Sequence, residues 1–261
     1  MGYGTQKSVL TVDVGNSTTR FGVFCGDEVQ GTWEATTHSR LTVDEARLQV
    51  RTVVRELCGD EVPDGAILSC VVPLLSDTWA QALTAVSASR PLVVGPGLKS
   101  GVRMRYDDPS EVGSDRVADV VAAREAYGAP VVVVDLGTTT NITVVDEGGI
   151  FVGGIIAPGM RLGARALSEA AARLATVELR APKQVIGKNT RAAMQSGVVL
   201  GEVARIDGLL DAMSDELGYD VTVVLTGDDA QTIAALLRHD ATVDENLTLR
   251  GLALIWQANK R

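Results

Sequence analysis

Two short segments of the chain place a carboxylate, a glycine and several hydroxyl or amide side chains directly after an apolar run. The first segment is DVGNSTT at residues 13–19, and the second is DLGTTT at residues 135–140. A tight glycine turn offers backbone N–H groups and hydroxyls to an anion, and an adjacent aspartate can hold a metal ion. A plain β-hairpin with a capping aspartate would also explain either segment taken alone. Their occurrence once in each half of the chain favours a pair of phosphate-binding turns, as an ATP-using enzyme with two related lobes requires.

The residues around each segment predict a strand–turn–strand hairpin. Apolar, β-branched runs at 9–12 and 131–134 precede the turns, and similar runs at 21–24 and 142–145 follow them. Repetition of the whole pattern indicates an internal duplication. We therefore expect an α/β fold of two related lobes, each with a mixed β-sheet, and a cleft between them.

The remaining periodicity completes two similar sets of elements. The polar segment 99–115 is interpreted as the connection between the lobes, which are predicted to span residues 1–112 and 113–261. Further strands are predicted at 29–35, 66–72, 91–94, 150–156 and 221–225, and helices at 42–57, 76–87, 116–127, 161–174, 190–217, 230–238 and 247–260.

Composition excludes several classes of function. The 261 residues carry a net charge of −9, which argues against nucleic acid or an anionic membrane as the main partner. No apolar stretch approaches the roughly 18 residues that a membrane-spanning helix needs. The three cysteines (Cys25, Cys58 and Cys70) have no paired spacing, and with only two histidines a His-based triad or metal cluster is not expected. A cytoplasmic protein is the expectation from these features and from a start without a hydrophobic signal core.

Seven motifs occur along the chain, namely DVGN (13–16), SCVVP (69–73), GSDR (113–116), DLGT (135–138), GGIIAPG (153–159), GKNT (187–190) and LTLRGL (247–252). In this order and spacing, over about residues 9–257, the chain resembles type III pantothenate kinases. That family is a branch of the sugar kinase, Hsp70 and actin superfamily, so the resemblance implies two RNase H-like (actin-like ATPase) lobes. It also implies ATP-dependent phosphorylation of pantothenate, the first step of coenzyme A synthesis, by a homodimer with Mg²⁺ and a monovalent cation (K⁺ or NH₄⁺).

The resemblance also implies roles for individual residues. Asp115 matches the catalytic base, and Asp13 and Asp135 match the carboxylates associated with Mg²⁺ and with the monovalent cation. The positions that match ATP and phosphate contacts are Asp13, Gly15, Asn16, Thr18, Arg20, Gly137 and Thr138. Those that match pantothenate contacts are Tyr106, Gly113, Ser114, Arg116 and Thr190, the last of these across a dimer interface. The interface is expected to involve residues 153–174 and the helix after Thr190.

The chemistry of the matched residues is consistent with these roles, although simpler explanations exist. Phosphoryl transfer to an alcohol needs a carboxylate to accept the hydroxyl proton, and Asp115 lies in a glycine-flanked loop ahead of a helix. The alternative role for Asp115 is the N-cap of that helix. A guanidinium at Arg116 suits a substrate carboxylate, or else an ion pair with Asp119 or Glu111. Tyr106 and Thr190 are equally compatible with ordinary loop and N-cap positions.

Several positions depart from the family pattern. Thr139 and Asn141 replace an Ala and a Thr of the second phosphate motif, and Thr143 replaces an Asp that is common there. Asp228 replaces the second Gly of a Thr-Gly-Gly motif near the nucleotide, where its charge would oppose the phosphates unless it is offset. Arg20 stands where a Lys is usual. These departures leave two alternatives open, a non-catalytic relative that binds a nucleotide or metabolite and regulates a partner, and a kinase for another small hydroxy acid or sugar.

Overall fold

The computed structural model describes residues 7–170 and 178–260, which form two α/β units. The first unit contains the described residues of 1–102, 107–125 and 246–261, and the second contains those of 103–106 and 126–245. No helix within the described residues is long and apolar enough to cross a bilayer.

The strands and helices are as follows. The strands are β1 (Ser8–Val14), β2 (Thr18–Cys25), β3 (Glu28–Thr36), β4 (Gly65–Cys70), β5 (Leu92–Val93), β6 (Arg103–Met104), β7 (Val131–Leu136), β8 (Thr139–Val145), β9 (Ile150–Pro158), β10 (Thr222–Gly227) and β11 (Thr242–Val243). The α-helices are α1 (Val43–Cys58), α2 (Pro73–Thr84), α3 (Ser114–Tyr127), α4 (Met160–Ala170), α5 (Thr190–Gln195), α6 (Gly201–Leu217), α7 (Ala230–Ala234) and α8 (Leu247–Asn259). A short 3₁₀ turn lies at Pro109–Glu111, and a π-helical turn at Ser196–Leu200 joins α5 to α6.

The two sheets confirm the predicted duplication. In the first unit the strand order is β3-β2-β1-β4-β5, and in the second it is β11-β10-β7-β8-β9-β6. Each sheet contains an antiparallel meander of three strands, β1–β3 or β7–β9. The first strand of each meander then pairs in parallel with a later strand, β4 or β10. Both sheets are therefore mixed, as predicted, and β6 is an extra edge strand in the second.

Strand β1 of the first sheet is buried on both faces. Leu10 and Val12 point from β1 into a cluster with residues of α1 and α2 such as Val50 and Trp79. Their neighbour Val9 points to the opposite face, where it packs in a cluster with residues of α8. This alternation follows from the two-residue period of a strand, and it explains why β1 is apolar at nearly every position.

The start of α1 shows how local signals determine an element. Thr42 accepts a hydrogen bond from the N–H of Glu45, and the Glu45 carboxylate accepts one from the N–H of Thr42. This capping box satisfies two backbone donors that the helix leaves without partners. The predicted helix at 42–57 is accordingly displaced by only one residue.

Other predicted boundaries were wrong. Helix α3 begins at Ser114 rather than residue 116, α7 ends at Ala234 rather than residue 238, and the helix predicted at 190–217 is interrupted by a π-helical turn. The edge strands β6 and β11 were not predicted, because two residues carry no periodicity. Helix α4 occupies most of the predicted 161–174 segment, of which residues 171–174 lie outside the described residues.

The division into units does not follow the predicted boundary between residues 112 and 113. Most of α3 and all of α8 belong to the first unit. The reason is visible where these helices meet, because a Cβ on Gly251 of α8 would lie only 1.9 Å from the carbonyl oxygen of Ala118 in α3. This close backbone approach packs α8 directly against α3, and both helices are therefore grouped with the first unit.

Candidate active site

The carboxyl ends of β1 and β4 bring together residues that are far apart in the chain. Asp13 lies opposite Ser69 in the parallel pairing of these strands. The hydroxyl of Ser114, the first residue of α3, lies 2.9 Å from the Ser69 hydroxyl and accepts a hydrogen bond from the N–H of Cys70 at 3.1 Å. These bonds attach the start of α3 to the end of β4. They thereby bring Asp115 beside the strand ends.

Asp115 is held in a defined orientation. Its Oδ1 accepts a hydrogen bond from the N–H of Arg116 at 2.8 Å. A Cβ on Gly113 would lie 2.3 Å from the same oxygen, so only glycine leaves room for the carboxylate in this position. Burial raises the pKa of Asp115, while the N–H and the charge of Arg116 act in the opposite direction. Asp115 is the second residue of α3 and not the residue before it, so the N-cap interpretation is wrong.

Asp13 is the more strongly perturbed carboxylate. Burial, with the charge of Asp115 as the second cause, raises the pKa of Asp13 to about 7, although the Ser69 hydroxyl and the Arg20 charge lower it. Arg20 lies opposite Asp13 in the β1–β2 pairing and also forms an ion pair with Glu34 at 3.5 Å. The electrostatic environment of Asp13 therefore depends on residues from two other strands and one helix.

The same site offers an unpartnered carboxylate oxygen to a cation. The Oδ1 atom of Asp13 is buried and has no hydrogen-bond partner within residues 7–170 and 178–260. A second carboxylate, Asp115, is close enough to raise the pKa of Asp13. No cluster of three or more His, Cys, Asp or Glu side chains suited to a metal is found among those residues. Mg²⁺ bound together with a nucleotide needs only one or two protein carboxylates, since phosphates and water complete its coordination.

The first of the two predicted phosphate-binding turns, the first phosphate-type turn, comprises residues 15–17 and connects β1 to β2. The N–H of Gly15 donates to the carbonyl of Thr18 at 3.0 Å, and a Cβ on Gly15 would approach that same oxygen to 3.0 Å. Asn16 is exposed at the tip, and Thr18 is half-buried. The predicted turn is thus present, with Gly15 at its tightest point.

The second turn, between β7 and β8, is enclosed by glycines from two other segments. The N–H of Gly137 donates to the carbonyl of Thr139, and the N–H of Gly159 donates to the carbonyl of Thr138, both at 3.1 Å. A Cβ on Gly159 would lie 2.4 Å from the Gly137 carbonyl oxygen. Gly227, with φ +94°, packs as closely on the Leu136 carbonyl. The glycines of the APG (157–159) and TGD (226–228) segments therefore have a steric reason.

Asp135 lies on β7 next to this second turn. It is half-buried and lies opposite Asn141 of β8 on one side and Thr226 of β10 on the other. A Cβ on Gly227 would come within 2.8 Å of an Asp135 carboxylate oxygen. Asp135 and the turn residues Gly137 and Thr138 are thus neighbours in the second unit, as predicted.

The predicted substrate residues are less uniform. Arg116 is buried, with 5% of its surface exposed. Tyr106 is half-buried in the second unit, where its ring packs on Phe151 with 5.7 Å between ring centroids. Thr190 is exposed as the first residue of α5, and the N-cap is Asn189, whose Oδ1 accepts from the N–H of Ala192. An N-cap role for Thr190 is therefore wrong.

The departures from the family pattern are accommodated in the second unit. The Asn141 amide donates to the Thr139 hydroxyl at 3.2 Å, and Thr143 is buried in β8. Asp228 is exposed directly after Gly227. Its charge is thus in contact with solvent, where screening weakens its effect on a nearby anion.

Sequence reasoning missed three contributors to these sites. Ser69 was noted only as part of a motif, and the hydroxyl that joins β4 to α3 has no local signature. Glu202 and Arg205 of α6 were not singled out, although Glu202 is buried and bonds to Thr140 next to the second turn. The spacing Glu202–Arg205 is an ordinary i, i+3 helical pair, so only the burial of Glu202 could have identified it.

We expect Asp13→Asn to change how stability depends on pH. A carboxyl group whose pKa is higher in the folded than in the unfolded chain contributes stability that is complete below the unfolded pKa of about 4 and lost as pH rises through about 7. Wild type should therefore lose stability between these pH values relative to Asp13→Asn, by about 4 kcal/mol in the limit, since each pKa unit is worth about 1.4 kcal/mol. Urea unfolding without divalent cations at a series of pH values measures this difference. Parallel pH profiles for the two proteins would contradict it.

Comparisons with known proteins agree with this arrangement. A family model described as type III pantothenate kinase matches residues 9–212. The chain is 40% identical over 253 residues to the type III pantothenate kinase of Brevibacillus brevis, covering 97% of this chain and 99% of that protein. The enzyme of the same name from Moorella thermoacetica is 38% identical over 252 residues, covering 96% and 99%.

Solved structures of low sequence identity share the fold. The ROK hexokinase of Thermus thermophilus matches with a TM-score of 0.53 and 14% identity, over 97% of this chain and all of that one. MreB 5 of Spiroplasma citri, solved with AMPPNP, matches with a TM-score of 0.58 and 11% identity, over 98% of both chains. These neighbours confirm the actin-like fold that the motifs implied. The chain is similar over its full length to the two enzymes from Brevibacillus brevis and Moorella thermoacetica. This similarity shows that the chain belongs to the type III pantothenate kinase family.

Proposed function

We propose that this chain transfers a phosphoryl group from ATP to pantothenate, the first step of coenzyme A synthesis. The observation that carries the proposal is the pair of half-buried carboxylates with raised pKa values, Asp13 and Asp115, held at the ends of β1 and β4 in a chain of this family. One carboxylate suits a divalent cation and the other suits a proton acceptor, which are the two carboxylate functions that phosphoryl transfer to an alcohol requires.

Asp115 is the proposed catalytic base. Its raised pKa makes it a better proton acceptor than an exposed aspartate, and the N–H and charge of Arg116 keep the ionised form accessible. Gly113 and the hydroxyl of Ser114 serve to orient this carboxylate at the strand ends. In this scheme Asp115 accepts the proton of the primary hydroxyl of pantothenate as the new P–O bond forms.

Asp13 is the proposed ligand of Mg²⁺, which when bound with ATP neutralises negative charge on the phosphates. The unpartnered Oδ1 of Asp13 supports this assignment. In the first turn, Gly15, Asn16, Thr18 and Arg20 are proposed phosphate contacts. In the second turn Gly137 and Thr138 have the same proposed role, and Asp135 is the proposed ligand of a monovalent cation, K⁺ or NH₄⁺.

Arg116 is the proposed partner of the pantothenate carboxylate, because a guanidinium matches a carboxylate with two parallel hydrogen bonds. Its burial favours the role, since an ion pair shielded from water is stronger than an exposed one. Tyr106 and Thr190 are further proposed contacts of the substrate, along with the backbone around Gly113 and Ser114.

We further propose a cytoplasmic homodimer. Exposed apolar side chains lie on or near the segments predicted to form the interface, including Ile156 and, ahead of α5, Val185 and Ile186 at 73% and 80% exposure. Exposed apolar groups of this kind mark contact surfaces when they cluster. Sedimentation equilibrium should give about twice the chain mass of 27.4 kDa, and a monomer at micromolar concentration would exclude the dimer.

Turnover of ATP is the direct test of the proposed function. With Mg²⁺ and K⁺ present, ADP should form only when pantothenate is added, and phosphopantothenate should accumulate in equal amount. Folded protein that binds ATP but releases no ADP would favour a regulatory relative. Turnover with another small hydroxy acid or sugar, but not with pantothenate, would change the acceptor and keep the chemistry.

Replacing Arg116 by Gln tests the assignment of the acceptor. Loss of a charged partner for the substrate carboxylate costs roughly 1.5–3 kcal/mol, so KM for pantothenate should rise about tenfold to a hundredfold. KM for ATP should change little. Arg116→Lys is the matched control, because it keeps the charge beside Asp115 and loses only the fork geometry. An unchanged KM for pantothenate in Arg116→Gln would sink this assignment.

A further inference from the structure

Two charged residues of α6, Glu202 and Arg205, form an ion pair and are hydrogen-bonded to residues next to the second phosphate-type turn. The Glu202 carboxylate, 4% exposed, accepts a hydrogen bond from the hydroxyl of Thr140 at 2.6 Å. Its other oxygen pairs with the guanidinium of Arg205, one turn further along the helix. The same guanidinium donates to the carbonyl of Pro158 at 2.9 Å. One ion pair thus joins α6 to β8 and to the end of β9.

The two residues contacted by this ion pair, Thr140 and Pro158, both lie next to the turn. Thr140 lies on β8 opposite Leu136, immediately beyond the turn residues. Pro158 precedes Gly159, whose N–H donates to the Thr138 carbonyl and whose Cα approaches the Gly137 carbonyl too closely for any side chain. A movement of Glu202 would therefore displace Thr140, which lies two residues from Thr138. A movement of Arg205 would displace Pro158, whose neighbour Gly159 contacts Gly137 and Thr138.

Stability alone is a poor explanation for this ion pair. Burying the Glu202 carboxylate costs desolvation energy that its attraction to the half-buried Arg205 only partly offsets, and an apolar pair in the same place is often as stable. A buried carboxylate that is both hydrogen-bonded and ion-paired does, however, restrict the groups it contacts to one arrangement. Backbone N–H groups bind an anion well only when they are already aimed at it.

We propose that Glu202 and Arg205 are positioning residues. They hold the second phosphate-type turn (residues 137 and 138) in the orientation that binds the triphosphate of the nucleotide. The inference rests on the proposed function for its ligand, and neither residue is assigned a contact with substrate. It predicts that loss of the pair weakens nucleotide binding specifically, rather than lowering activity together with general stability.

Glu202→Gln is the primary variant, since it keeps the size of the side chain and an oxygen for Thr140 but loses the charge that holds Arg205. We expect KM for ATP, and Kd for ADP by calorimetry, to rise about tenfold, as for other residues that orient a ligand-binding group from behind. KM for pantothenate should not change. Arg205→Lys, which keeps the charge, should have a smaller effect than Arg205→Met.

The same helix supplies a matched control. Asp207, 3% exposed, accepts hydrogen bonds from the backbone of Arg238 and from the His239 ring, but has no contact with the turn. Asp207→Asn should lower the melting temperature and leave KM for ATP at the wild-type value. Thr140→Val is a second, uncharged test of the connection, which should also raise KM for ATP.

The outcomes separate this inference from the proposed function. A wild-type protein that does not phosphorylate pantothenate contradicts the function, while ADP binding still measures the effect of Glu202→Gln. If wild type is active, and folded Glu202→Gln and Thr140→Val bind ADP as tightly as Asp207→Asn does, the positioning role is wrong. A parallel rise in the KM values for both substrates would likewise reduce the ion pair to a structural role.

Discussion

Replacing Asp115 by Asn is expected to lower kcat for pantothenate phosphorylation by about 10² to 10⁴-fold, the range that a positioned general base contributes. The amide is the same size as the carboxylate and still offers an oxygen to the N–H of Arg116. It cannot accept the substrate proton. KM for ATP should therefore change much less than kcat, and ADP release in a coupled assay measures both.

Asp108→Asn is the control for this experiment. Asp108 is an exposed aspartate of the same unit, whose carboxylate accepts hydrogen bonds from Ser110. The same change of charge at that position should leave kcat within about twofold, as for surface substitutions away from a site. If Asp115→Asn retained most of the wild-type kcat, Asp115 would not be the base, and Asp13 would be the next residue to examine.

Gly113→Ala is expected to reduce kcat about tenfold to a hundredfold without unfolding the protein, because displacing a reacting group by about 1 Å has effects of this size. The added Cβ would lie 2.3 Å from Oδ1 of Asp115, so the carboxylate must rotate and lose its bond to Arg116. The φ of Gly113 lies outside the left-handed region, so the backbone itself accepts alanine. Steady-state kinetics and a thermal melt on the same preparation separate the two effects.

A matched glycine and a double variant make this test specific. At Gly95 a Cβ would meet no atom within 4 Å, so Gly95→Ala should preserve kcat. In the Asp115→Asn background, Gly113→Ala should lower kcat little further, because both changes remove the same proton acceptor. Full additivity of the two effects would show that Gly113 acts through something other than Asp115.

Local signals account for the parts of the fold that were predicted correctly. These signals are the apolar runs before Asp13 and Asp135, the glycine turns after them, and the capping box of Thr42 and Glu45. All of them depend on residues that are close in sequence. Periodicity and turn chemistry therefore suffice to place both hairpins and α1. Two of the seven motifs that carry the family resemblance, DVGN and DLGT, lie in these hairpins.

Contacts between distant residues decided the boundaries that were missed. Helix α3 begins two residues early because the Ser114 hydroxyl bonds to Ser69 and Cys70, more than forty positions away. Helix α7 ends at Ala234, and a few residues later the N–H of Arg238 donates to Asp207 of α6. A long-range hydrogen bond thus lies at the first boundary and close to the second, where local sequence signals gave no warning of it.

The sequence by itself determined the duplicated α/β plan, both phosphate-type turns and the identity of Asp13, Asp115 and Asp135 as the carboxylates of interest. Only the tertiary structure decided that Gly113 leaves room for the Asp115 carboxylate, that burial and Asp115 raise the pKa of Asp13, and that Glu202 and Arg205 bond to residues next to the second turn. The physical reason is that a motif specifies which groups are available. Desolvation, close backbone approach and buried ion pairs depend on residues that meet only after folding.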